Sequence, residues 1–164
     1  MAETWPHFWH TGRGFLTRTV AGIPAELTEA YPPGCRNNLR WQLGHAVLSS
    51  EMLVCHRGGH STTVPLAWVA WFGRDTSPAD FTAETPSWAE LTAALTASTA
   101  HLTAWLAVCD PTAALTEPLV APQFGLDVRT VAQAVHFASA HEAIHFGQMA
   151  VYQRVLGSSE QADG

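Results

Sequence analysis

Apolar side chains near the start of the chain return at steps of three and four, at Trp5, Phe8, Phe15, Leu16, Val20 and Ile23. That is the period of a helix with one buried face. Thr4 is placed to cap it, Pro6 suits its first turn, Gly12 and Gly14 weaken it, and Pro24 ends it. An irregular connection follows through Pro32, Pro33 and Gly34. A second helix is expected from Asn37 or Asn38, both good caps, to about Arg57, where Gly58 and Gly59 stop it. Trp41, His45, Leu48, Met52 and Cys55 or His56 fall along one of its faces. His45 therefore points inward, and Gly44 beside it leaves room for another backbone to approach. Residues 60–86 are rich in Gly, Pro, Ser and Thr around one apolar island, Leu66 to Phe72. Trp68, Trp71, Phe72 and Phe81 of this crossover either cover the core or roof a pocket.

Thr85 and Pro86 read as the cap and first turn of a third helix, striped by Trp88, Leu91, Leu95, Ser98, Leu102, Trp105 and Cys109. His101 lies off that stripe and is expected to be exposed. Residues 112–125, with Pro118 and Pro122, read as an extended loop. The last pattern, from Val128 to Leu156, has no proline and one glycine, and Thr130 with Gln133, or Asp127, can cap it. No two-residue alternation marks a strand. The expectation is an all-α single domain spanning residues 1–164 with an ordered core of about 5–157. It is a four-helix bundle with a long crossover segment between the second and third long helices.

The last helix is apolar nearly all the way round, so it should be buried and its inward polar groups should need partners. His141 and His145, four residues apart, share a face with a rise of about 6 Å, which suits two imidazoles on one metal ion. Gln148 and Tyr152 continue that line, whereas His136 lies about 140° round from His141. Gly147 implies close approach by a ligand or a second helix. His-Glu-Ala-Ile-His also matches the His-Glu-x-x-His pattern of zinc proteases, with Glu142 as general base. That reading needs a further ligand, and after His145 only Glu160 and Asp163 remain, in a tail of Ser, Gly and Asp. The inward His45 is the better third ligand.

Asn38-x-x-Trp41-x-x-Gly44-His45, followed by His141-x-x-x-His145-x-Gly147-Gln148, resembles the DinB-like superfamily over about Trp5 to Gly157. The resemblance implies a four-helix bundle in which His45, His141 and His145 bind a divalent metal. It also implies a tendency to form homodimers. The better-understood relatives couple a low-molecular-weight thiol to an electrophile or use it in isomerisation.

Composition narrows the partners. The chain has 164 residues, 47% of them hydrophobic, enough for one full core. Net charge is −6 and the basic residues, all Arg, are scattered, so neither nucleic acid nor an anionic membrane is an expected partner. Cys35, Cys55 and Cys109 form no Cys-x-x-Cys pair, and the N-terminus shows no basic region before an apolar core. Reduced thiols and a cytoplasmic location are expected. The uncharged run Leu91 to Cys109 carries too many Thr, Ser and His to span a membrane.

Three neutral imidazoles would leave the metal's charge uncompensated and positions open for hydroxide or a thiolate. Zinc, nickel and iron all suit such ligands. The expected function is a metal-dependent transferase conjugating a low-molecular-weight thiol to an electrophilic small molecule. Glu142 would then be a nearby carboxylate for catalysis, and Gln148 and Tyr152 polar contacts for the bound thiol or substrate. A non-catalytic metal- or ligand-binding protein and a metal-dependent hydrolase use the same residues.

Overall fold

Five α-helices and one two-stranded hairpin make up the computed structural model, which describes residues 6–160, the last two by backbone alone. The helices are α1 (His7–Ala21), α2 (Leu39–Ser50), α3 (Val69–Phe72), α4 (Trp88–Leu106) and α5 (Val131–Glu160). The strands are β1 (Ala114–Ala121) and β2 (Leu126–Thr130). Thr4, Trp5 and Asp163 lie outside the described residues.

The face that α1 buries is Trp9, Arg13, Leu16 and Val20, at steps of four, three and four. Phe8 and Phe15, expected on that face, are 71% and 46% exposed. The stripe is rotated because Arg13 goes inside, where it pairs with Glu142 of α5. Asn38 caps α2, its Oδ1 accepting from the Trp41 backbone N–H at 2.9 Å. This satisfies one of the four donors that any helix start leaves open. After Ser50 the helix widens into a π-helical turn, Glu51–His56, and it ends close to the expected Arg57. Gly59 follows with a φ of +78°, a conformation that side chains with a Cβ resist.

Ser87, not Thr85, caps α4, with Glu90 reaching back to the Ser87 N–H at 2.7 Å to complete a capping box. Leu91, Leu95, Ser98 and Leu102 are buried as their spacing predicts. His101, expected to be exposed, is half-buried against the π-helical turn.

The all-α expectation is corrected by the hairpin. β1 and β2 pair antiparallel, with Leu119 opposite Val128, Val120 opposite Asp127 and Ala121 opposite Leu126. Pro118 and Pro122 read as breakers, but Pro122 opens the connecting turn and Gly125 closes it with a φ of +68°. The register is also irregular between Ala114 and Leu119, which erased the alternation a strand would have shown. Helix α5 consequently starts at Val131 rather than Val128. Thr130 and Gln133 form the expected cap, with the Thr130 N–H donating to Gln133 Oε1 at 3.1 Å.

Helix α5 packs against α1 and α2, α2 packs against α4, α1 touches α4, and the hairpin lies along α5. Leu16, Leu39, Leu43, Leu91, Leu95 and Met149 close one part of the core, and Trp9, Val54, Leu102 and Val135 another. Trp68 and Phe72 of the crossover are buried in the first part. Among the described residues no helix is long and apolar enough to cross a membrane.

Candidate metal centre

The packing of α2 on α5 brings three imidazoles together. His45 Nε2 lies 3.3 Å from His141 Nε2, and His145 Nε2 lies 3.3 Å from the same atom. Two metal–nitrogen bonds of about 2.0 Å at a tetrahedral angle span about 3.3 Å, so the three nitrogens already have the spacing of a shared ligand set.

The tautomers agree with that reading. His45 Nδ1 is 2.7 Å from the Phe72 carbonyl, which only accepts, so Nδ1 carries the proton and Nε2 presents a lone pair. His145 Nδ1 is 2.6 Å from Gln42 Oε1, and the same logic leaves its Nε2 unprotonated. Two lone pairs thus face His141 Nε2, while His141 Nδ1 is buried without a hydrogen-bond partner. A cation is the natural partner for converging lone pairs.

Each element of the first motif serves His45. Asn38 starts the helix, Trp41 stacks on the imidazole at 4.6 Å between ring centres, and Gly44 makes room for Phe72. A Cβ on Gly44 would lie 2.4 Å from the Phe72 ring, so what the glycine admits is a side chain rather than the expected backbone. Gly147 is different. A Cβ there would meet nothing within 4 Å, so neither a ligand nor a helix accounts for it, and nothing in the structure explains it.

Burial, and then the neighbouring imidazoles, hold His145 down at about 3 and His141 at about 4. Burial also lowers His45, against the pull of its bond to Phe72. All three imidazoles are neutral at physiological pH.

A pocket of about 590 Å³ opens beside the histidines, with His45 and His141 in its wall. Leu48, Met52, Leu53, Val69, Phe137 and the hairpin residues Leu119, Ala121, Phe124 and Leu126 supply apolar surface. Ser49, Arg57 and Arg74 supply the polar groups, and no carboxylate is among the described residues lining it. Ser49 Oγ is 3.3 Å from His45 Nε2. Arg57 is held by the β1 carbonyls of Glu117 and Pro118, at 3.0 and 3.2 Å. The crossover aromatics Trp68 and Phe72 belong to the core, and the pocket takes Val69, Gly73 and Arg74 from that segment instead.

Glu142 is fully buried, accepting from Arg13 and from the Ser50 hydroxyl. Burial raises its pKa, and the Arg13 guanidinium opposes that rise. Gln148 is exposed and away from the pocket wall. Tyr152 is half-buried, its pKa raised by burial and by the Cys35 thiol, while Gln42 pulls the other way. Gln42, Ser49 and the Phe72 carbonyl were not among the expected site groups. Gln42 had a signal, a polar residue three positions before His45 on an otherwise buried helix, whereas a backbone carbonyl from the crossover has none.

A solved structure described as the conserved protein of locus from Enterococcus faecalis has the same fold. The match has a TM-score of 0.62 at 14% identity, over 94% of this chain and 96% of that one. Among curated proteins, no sequence match was found. The family profile described as the DinB superfamily matches residues 9–149, from α1 through the three histidines into the second half of α5, and the chain belongs to that superfamily.

Proposed function

We propose that the protein is a metal-dependent enzyme that conjugates a low-molecular-weight thiol to an electrophilic small molecule, with His45, His141 and His145 holding one divalent ion. The observation that carries this reading is the convergence of three imidazole Nε2 atoms beside an apolar pocket whose charged lining residues are Arg57 and Arg74. When bound, such an ion supplies a Lewis acid that keeps a small thiol in its thiolate form near neutral pH.

The chain's own residues do the rest. Phe72 and Gln42 orient two of the imidazoles through Nδ1, and Trp41 keeps water from one face of His45. The apolar wall suits a hydrophobic electrophile. Arg57, fixed by β1, offers a charge for a carboxylate on the thiol. The sulfur comes from outside, because none of the three cysteines lines the pocket. Cys55 in particular is pushed up to about 12 by burial and by the charge of Glu51. The buried pairing of Glu142 with Arg13 favours a positioning role for it over proton transfer.

The four-helix bundle is the architecture we propose for the long helices, supported by the packing of α5 on α1 and α2 and of α2 on α4. A homodimer is proposed as well. Phe8, Phe15 and Ile144 leave large apolar side chains exposed on α1 and α5. Light scattering that reports only monomer at micromolar concentration removes the dimer.

Metal-loaded protein mixed with a panel of cellular thiols and a chromogenic electrophile tests the reaction. Conjugation faster than with free metal, abolished in His145→Ala and given a higher KM for acidic thiols in Arg57→Ala, is the expected result. Hydrolysis without thiol dependence leaves the hydrolase reading, and metal binding without turnover leaves the binding-protein reading.

A further inference from the structure

The π-helical turn after α2 gathers a second set of ligand atoms that shares no residue with the three histidines. Glu51, Cys55 and His101 each bring a ligand atom into one group, all within 4.8 Å of one another. His101 Nδ1 lies 3.7 Å from Glu51 Oε2 and 3.9 Å from Cys55 Sγ. Zinc bonded to N, O and S at their usual lengths spaces such atoms about 3.3–3.6 Å apart. His101 exceeds that spacing by a few tenths of an ångström to each partner, and its half-buried ring is free to close the difference.

We propose that Glu51, Cys55 and His101 form a second metal site, which takes zinc and ties α4 to the extension of α2. Thiolate, imidazole and carboxylate together suit zinc better than magnesium or calcium, which take oxygen ligands. The carboxylate is oriented in advance. Thr63 donates its backbone N–H to Glu51 Oε2 at 2.9 Å and its hydroxyl to Oε1 at 2.8 Å, a clamp from the crossover segment that leaves a lone pair on each oxygen. Glu51 is fully buried, so the local backbone has spent an inward position on a carboxylate, which needs polar or ionic company there. π-Turns of this kind occur often at functional sites.

The charges balance. Binding of the ion releases the Cys55 proton to solvent, and the ion's two positive charges are then matched by one thiolate and one carboxylate. The three-histidine centre has no such match, so the second site is the poorer Lewis acid, with water completing its coordination.

Cobalt substitution separates the two sites, because only Cys55 among the ligands of either site gives a thiolate-to-cobalt charge-transfer absorption. Metal-free protein reloaded with cobalt is expected to show that absorption as wild type and as His141→Ala, and to lose it as Cys55→Ser. Elemental analysis should find zinc retained in His141→Ala and lost when Cys55→Ser is added. His101→Asn, at a half-buried position, provides a second arm and should weaken zinc at this site by at least about tenfold, as loss of one ligand or its orienting partner does. A His141→Ala protein that is folded by circular dichroism yet shows neither the absorption nor zinc overturns the proposal, as does an absorption that survives Cys55→Ser. If the absorption persists while wild type and His141→Ala bind equal metal, the three-histidine reading fails and this site stands.

Discussion

Two hydrogen bonds, to the Phe72 carbonyl and to Gln42, decide which nitrogen His45 and His145 turn towards His141 Nε2. Gln42 holds His145 through Nδ1 at 2.6 Å, so Gln42→Leu should leave the fold intact and weaken metal binding about 10- to 100-fold. Competition against a chelator measures this, and an unchanged affinity would show that the imidazole needs no orienting partner. The same burial that makes the imidazoles neutral sets a pH dependence. His145 and His141 sit at about 3 and about 4 in the folded protein, below the 6.5 of an unperturbed imidazole. Below pH 6.5 the unfolded chain therefore takes up protons that the folded chain does not. Stability of the metal-free protein should be fully present above 6.5 and fall as the pH drops towards 4, by roughly 1.4 kcal/mol per pH unit for each histidine. Urea midpoints of metal-free protein between pH 7.5 and 4.5 test it, and a flat profile contradicts the burial argument. Proton competition for the metal, expected near pH 6.5 from ordinary imidazoles, moves to lower pH for the same reason.

Helix α2 is where the pattern of residues was most informative, and its limits are instructive. The cap at Asn38 and the inward face of His45 follow from local chemistry and a 3.6-residue period, both of which act within a few residues. What fills the space over Gly44 does not, because Phe72 arrives from 28 positions further on, through the crossover. Gly44→Ala should therefore push the Phe72 ring aside and destabilise the protein by about 1–3 kcal/mol. Its metal affinity should fall as well, since the Phe72 carbonyl holds His45. Gly147→Ala is the contrasting case on α5, with open space around the new methyl, and should stabilise by up to about 1 kcal/mol. Thermal melts of the two variants with and without metal check both signs. The hairpin lies at the other extreme. Prolines stand in one strand and in its turn, the register is irregular, and of the strand residues only Leu115 and Val128 are deeply buried, so no alternation survived to be read.

Across the whole molecule, a buried ion pair joins residues 129 positions apart, Arg13 on α1 and Glu142 on α5. Both are fully buried, so Arg13→Ala should leave an uncompensated carboxylate and cost about 3–5 kcal/mol. Replacing both partners, as Arg13→Met with Glu142→Leu, should cost much less, because well-packed apolar groups often substitute for a buried ion pair. Urea unfolding of the single and double variants decides it, and equal losses would show that packing rather than charge dominates. The His-Glu-x-x-His pattern made Glu142 a candidate base, but the partners a buried carboxylate finds depend on which helices surround it. The sequence by itself determined the long helices, the approximate positions of their ends and the inward histidines, because caps and periodicity are local properties; the exposed face of α5, with Ile144 and Val151, was not among them. Only the tertiary structure decided the hairpin wall of the pocket, the orientation of the imidazoles by Gln42 and Phe72, and the company kept by Glu142 and His101. Each of these is a contact between segments distant in the chain, and such contacts exist only once the helices have packed.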